Sequence, residues 1–124
     1  MKEINIEGTP KTPKIYFKEG NNYLLIEGRS IIEDPLQFYN PLIVRLKKAS
    51  NSVLDKLEID FKIEYFNTAS SFILLDVLKH LHSSDGLKDN IIVNWHYDKD
   101  DDDILEIGQD YSNVLKMPFN LIAC

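Results

Sequence analysis

Leu57, Ile59, Phe61, Ile63 and Tyr65 alternate with Glu58, Asp60, Lys62 and Glu64. This period of two predicts a strand, because successive side chains point to opposite faces of a sheet. A central strand covered on both faces is apolar throughout. This one has a charged face, so helices are expected mainly on one side of the sheet. Two shorter apolar runs, Lys14–Phe17 and Tyr23–Glu27, flank Lys18-Glu19-Gly20-Asn21-Asn22. Gly and Asn tolerate positive φ, so the segment reads as a hairpin loop. Residues Met1 to Thr12 carry Gly8, Pro10 and then Pro13, which predicts an extended arm.

Helical spacing appears in three places. Asp34-Pro35 is a start signal, followed inward by Leu36, Tyr39, Ile43, Leu46 and Ala49. Pro41 lies inside that pattern, so it either kinks the helix or puts the start after Asn40. Ser70 to Ser83 places Phe72, Leu75, Leu78 and Leu81 or His82 on one stripe, widened by Ile73, Leu74 and Val77, with Ser84-Asp85-Gly86 as the stop. Ile91–Tyr97 reads as another strand. Asp100 to Asp103 then open a helix with Ile104, Ile107, Tyr111 and Val114 or Leu115 inward. Pro118 ends it, and Phe119 to Ala123 makes a last strand. The order is β-β-α-β-α-β-α-β: an antiparallel N-terminal hairpin, then right-handed parallel crossovers in an α/β mixed sheet of about five strands.

The chain has 124 residues, which suffices for one core and not for two ordinary domains. With 44% apolar and 27% charged residues and no apolar run near membrane-spanning length, it reads as a soluble domain. No signal peptide is legible at the N-terminus, and Cys124 is the single cysteine; both fit a cytoplasmic protein. A net charge of −6 disfavours nucleic acid and anionic membranes as partners. The one compact basic group, Arg45, Lys47 and Lys48, reads as a solvated helix face.

The segment Tyr65-Phe66-Asn67-Thr68-Ala69-Ser70-Ser71-Phe72 joins the long strand to the second helix. Partners and ligands meet open α/β sheets at such strand ends. Three hydroxyls open the helix, and Ser70 or Ser71 is the natural cap. That leaves Thr68 just outside the helix and accessible. A phosphate there adds about −1.5 to −2 charges at neutral pH. The positive end of the helix dipole tolerates this charge, so phosphorylation should alter docking and not folding.

This segment, with Leu74-Leu75-Asp76-Val77-Leu78, resembles the core signature of SiaC-type regulatory phosphoproteins. Gly8-Thr9, Thr12-Pro13-Lys14-Ile15, Glu27-Gly28-Arg29-Ser30, Trp95-His96-Tyr97 and Pro118-Phe119 extend the resemblance along nearly the whole chain. It implies a single STAS-like domain, related to anti-sigma-factor antagonists and without catalytic activity or cofactor. It also implies phosphorylation of Thr68 by a SiaB-like kinase and its reversal by a SiaA-like PP2C-type phosphatase. The unphosphorylated form would bind a SiaD-like diguanylate cyclase and promote cyclic-di-GMP synthesis, aggregation and biofilm formation. The partner-binding residues implied are Asn67, Thr68, Ala69, Ser70, Ser71 and Phe72. Ala69 and Phe72 depart from the family pattern, where serine and a polar or basic residue are usual.

Other chemistry is weaker. The run Asp98 to Asp103 lacks the glycine and distal glutamate of a calcium loop and reads as a dipole-favoured helix start. His80 and His82 lie two apart on a helix and cannot share a metal on one face. His96 between Trp95 and Tyr97 reads as a packed or hydrogen-bonded histidine. Cys124 sits at an end expected to fray. Gly8-Thr9-Pro10 lacks the spacing of a phosphate loop. No nucleophile, base and orienting group emerge together. The alternatives to a phospho-switch are a constitutive scaffold of the same fold, with Thr68 only structural, and a small enzyme built on His96 and the acidic run.

Overall fold

The computed structural model describes residues 3–50, 55–84, 87 and 90–124. Among these residues six strands form one sheet in sequence order: β1 (Glu3–Ile6), β2 (Lys14–Lys18), β3 (Tyr23–Ser30), β4 (Leu57–Phe66), β5 (Ile91–Tyr97) and β6 (Asn120–Ala123). Helices α1 (Pro35–Ser50), α2 (Thr68–Ser83) and α3 (Asp102–Leu115) connect β3 to β6. β1–β2 and β2–β3 pair antiparallel; the later pairs are parallel. The N-terminal arm thus supplies a sixth strand, Glu3–Ile6, held edge-on to β2. Met1 and Lys2 of that arm, and Asp85 and Gly86 of the expected α2 stop, lie outside the described residues.

Every parallel step goes to the next strand in the same direction. Right-handed crossovers of one direction lay all their helices on one face. α1 packs on α2 and α2 on α3 accordingly. The alternation of β4 records the result: Leu57, Ile59, Phe61 and Ile63 are buried, while Glu58, Lys62 and Glu64 are exposed.

The core holds Ile15, Phe17, Leu24 and Ile26 from the hairpin, with Tyr39, Leu42 and Leu46 from α1. Its other end is aromatic. Trp95, 1% exposed, has ring centroids 5.3 Å from Phe61, 5.3 Å from Tyr111 and 6.0 Å from Phe119. Its indole N–H donates to the Ile104 carbonyl at 2.9 Å. Gly108 of α3 lies against this ring so closely that an added Cβ would stand 2.6 Å from it.

Helix α1 starts at Pro35, the earlier of the two expected starts. Asp34 Oδ1 caps it by accepting the Gln37 N–H at 3.2 Å, and Pro41 stays inside. Pro35, Tyr39, Leu42, Leu46 and Ala49 are buried; Leu36 is 55% exposed, so the expected stripe is rotated towards Leu42. In α3 the inward residue is Leu115, and Val114 faces solvent. Asp101 caps α3 through the Ile104 N–H at 3.0 Å, with Asp102 and Asp103 in the first turn. The acidic run is a helix start. The chain end is tied and not frayed: the Cys124 N–H donates to the Tyr97 carbonyl at 2.9 Å.

The open face carries a polar network across β3 to β6. Tyr23 donates to Asp60 Oδ2, Asn94 Nδ2 donates to Asp60 Oδ1 and Glu58 Oε2 at 2.8 Å each, and Asn120 Nδ2 donates to Asn94 Oδ1 at 2.9 Å. His96 Nε2 lies 3.4 Å from Asp60 Oδ1, the hydrogen-bonded setting expected of it. Partial burial works to raise the Asp60 carboxyl, but hydrogen bonds from Tyr23, Asn94 and His96 outweigh it and hold it below the ordinary carboxylate range. A carboxylate depressed in the folded state stabilises above its unfolded value near about 3.9 and loses that contribution as pH falls through its folded value. Asp60→Asn should therefore reduce the slope of unfolding free energy against pH below about pH 5. Urea titrations of both proteins between neutral and acid pH check this; equal slopes would show that Asp60 does not couple folding to protons.

Candidate functional site

Period two puts Tyr65 on the buried face of β4. The structure turns it outward. β3 and β4 keep register to Gly28 opposite Ile63, and then Arg29 faces Tyr65, leaving Glu64 without an opposite residue. Gly28 has φ of 117°, a conformation that suits glycine and few others. The extra residue reverses the alternation. Tyr65 is 51% exposed, while Phe66 is buried and lies 6.3 Å from Trp95, centroid to centroid.

The next residue, Asn67, is the cap of α2. Its Oδ1 accepts the Ser70 N–H at 2.9 Å, its Nδ2 donates to the Ile32 carbonyl at 2.9 Å, and its own N–H donates to the Ser30 carbonyl at 3.0 Å. The expected caps, Ser70 and Ser71, do other work. Ser70 is fully buried: Ser30 Oγ donates to Ser70 Oγ at 2.9 Å and pairs with the Tyr39 hydroxyl at 2.7 Å. Burial drives the Tyr39 hydroxyl up to about 12, and its bond with Ser30 offsets only part of this, so it stays protonated. Ser71 is half-buried, and its carbonyl accepts from Tyr111 of α3. The junction is therefore clamped to β3, α1 and α3 together.

Thr68 occupies the first helical position, inside the helix and not just outside it. The first intrahelical bond runs from the Ser71 N–H to the Asn67 carbonyl at 3.0 Å, so the N–H groups of Thr68 and Ala69 precede it. Thr68 and Ala69 are exposed, and Phe72 is 63% exposed. Phe72 was expected inward. The buried stripe of α2 is Ser70, Leu74, Leu78 and Leu81, and two residues on from Ser70 is about 200° round the helix. Of the residues implied as partner contacts, Thr68, Ala69 and Phe72 share the open surface, Asn67 and Ser71 are half-buried, and the Ser70 side chain is sealed inside. Tyr65, outside that set, joins the exposed surface. A bulge cannot be read from period-two alternation, but the consecutive aromatics Tyr65-Phe66 were a signal that the phase changes.

Asn67→Ala removes the cap and the tie to Ile32. The loss should be about 1–2 kcal/mol, read as a lower urea midpoint, with faster amide exchange at Ser70 and Ser71. Asn67→Asp keeps the capping oxygen and should recover part of the loss; if both variants match the wild type, the junction is not held by Asn67.

A sheet with helices on one face, presenting a clamped strand-to-helix turn with an exposed threonine between Tyr65 and Phe72, defines a small one-sided α/β protein. The chain belongs to the SiaC family of regulatory phosphoproteins, whose profile matches residues 6–124. Its fold is similar to that of apo-SiaC from Pseudomonas aeruginosa, at TM-score 0.82 and 24% identity over 99% of this chain and 100% of that one. A chain from the crystal structure of the diguanylate cyclase SiaD in complex with its activator SiaC, from the same organism, gives TM-score 0.81 and 24% identity over 98% and 99%. An uncharacterised protein of Pseudomonas aeruginosa strain UCBPP-PA14 is 24% identical over 99% of this chain and 98% of its own length. No helix among the described residues is long and apolar enough to cross a membrane.

Proposed function

We propose that this chain binds and activates a diguanylate cyclase in its unphosphorylated form, and that phosphorylation of Thr68 ends the binding. The observation that carries this reading is Thr68, an exposed residue in the first turn of a helix whose start is fixed by Asn67, Ser70 and Tyr111. Membership of a regulatory phosphoprotein family supports it, as does the complex of SiaC with the cyclase SiaD. The contact surface would be Thr68, Ala69 and Phe72 with the exposed parts of Asn67 and Ser71; Ser70 acts from within by holding the turn.

The switch follows from charge and solvation. A phosphate of about −1.5 to −2 charges meets the open N–H groups of Thr68 and Ala69, so the helix accepts it. A partner that covers Thr68 with apolar or acidic surface must desolvate that phosphate, at a cost of several kcal/mol. A SiaB-like kinase would add the phosphate and a SiaA-like PP2C-type phosphatase would remove it, in the cytoplasm. The chain itself would carry out no catalysis, and its output would be cyclic-di-GMP synthesis favouring aggregation and biofilm formation.

Incubation with the cognate kinase and ATP, followed by mass-spectrometric mapping, tests the site directly. Phosphate on Thr68 is expected. Modification elsewhere, with Thr68 untouched, would remove the basis for the switch.

A further inference from the structure

Below Tyr65, the end of β4 and the face of α3 enclose an open groove of about 390 Å³. The exposed Tyr65 walls one side, and the floor is apolar, formed by Phe66 of β4 with Ile104 and Ile107 of α3. Its rim is acidic: Glu64, Asp103, Glu106 and Asp110 are all exposed there. Asp101 also lines it, but its carboxylate caps α3. None of the described residues lining the groove is basic. Asn67 and Thr68 follow Phe66 directly, and the bond from Tyr111 to Ser71 holds the first turn of α2 against α3, one turn beyond Ile107. The groove and Thr68 therefore adjoin.

The floor and the rim together select the occupant. A purely apolar segment would cover the floor but strip water from the rim carboxylates without replacing it. A segment with one apolar stripe and flanking Lys or Arg satisfies both surfaces. Phosphate on Thr68 places further negative charge beside a rim that is already acidic, which strengthens attraction of that segment and repels an acidic one. We infer that this groove docks a basic amphipathic segment of a partner that prefers the phosphorylated chain, and so is not the partner released by phosphorylation. The preference for the phosphorylated form rests on the proposed role of Thr68; the docking itself does not.

The probe is a short synthetic amphipathic Lys/Leu peptide titrated into the isotope-labelled full chain and followed by amide chemical shifts. Saturable shifts are expected at Tyr65, Ile104, Ile107 and Asp110. Binding should tighten roughly fivefold when Thr68 is phosphorylated, and less for Thr68→Asp. Glu106→Lys with Asp110→Lys should weaken it roughly tenfold. Glu3→Lys with Glu7→Lys makes the same charge change around β1, at the far edge of the sheet, and should leave affinity within about twofold. Equal weakening by the two pairs, shifts on another surface, or equal binding of a Glu/Leu peptide would overturn the docking site. Unchanged affinity on phosphorylation would overturn the preference alone. No cyclase is present in this titration, so a failure here is distinct from a failure of the proposed cyclase binding.

Discussion

Thr68→Asp is expected to weaken binding to the cognate diguanylate cyclase roughly 100-fold, equivalent to about 2.8 kcal/mol, while leaving the fold at least as stable. The two effects separate because they arise in different places. In the free protein the new carboxylate sits in the first turn of α2, where Thr68 and Ala69 offer N–H groups that precede the first intrahelical bond. Interaction with the helix dipole there is worth about 0.3–1 kcal/mol in favour of the variant. In the complex the same carboxylate loses water against the partner. Thr68→Ala changes neither charge nor capping, since Asn67 caps the helix; it should bind within about threefold of the wild type and unfold within about 0.5 kcal/mol of it. Calorimetric titration against the cyclase and urea unfolding give the two readings. Equal affinity of the Asp and Ala variants would reject the switch, and a large loss of stability in Thr68→Asp would reduce any binding defect to misfolding.

Trp95→Ala should cost about 4 kcal/mol, against a total of about 5–15 kcal/mol for a domain of ordinary stability. The indole fills the space between β5 and α3, contacts Phe61, Tyr111 and Phe119, and bonds the Ile104 carbonyl. Its removal leaves a cavity and takes the indole donor from a carbonyl that keeps only its helix bond, and the urea midpoint should fall by about 2 M. Gly108 sharpens the prediction. Helix propensity alone says that Gly108→Ala gains about 1 kcal/mol. The added Cβ, however, would lie 2.6 Å from a ring that is 1% exposed and hemmed in on every side. Overpacking of this kind costs about 1–3 kcal/mol, so the net effect in the wild type is a loss. With Trp95 already Ala the obstruction is gone and Gly108→Ala should stabilise. A double-mutant cycle should give a coupling of about 2 kcal/mol, and additivity within about 0.5 kcal/mol would mean that α3 and Trp95 do not meet as described.

Local pattern carried much of the fold. The charged face of β4, the Asp34-Pro35 start, the Asp run before α3 and Pro118 after it are signals that act within a few residues, and each element lies where they predict. The candidate site was legible as a segment, Tyr65 to Phe72, but not as a surface. Periodicity defines an apolar arc on a helix, whereas the neighbours decide which part of the arc they cover. On α2 that part is Ser70, Leu74 and Leu78, which turns Phe72 out. Ser70 is polar, and nothing local marks it as buried; Ser30 and Tyr39, distant in sequence, make its burial affordable. The strand β1 was also missed, because four alternating residues at an edge are a weak signal beside Gly8 and the prolines.

By itself the sequence determined the order of strands and helices from β2 onward, the one-sided sheet and the family, because these rest on residues close together along the chain. Tertiary structure alone decided which side chains around Thr68 face outward. The unpaired Glu64 reverses the phase of β4, and contacts from β3, α1 and α3 set the rotation of α2. Both depend on pairings between residues far apart in the chain, to which hydrophobic periodicity is blind.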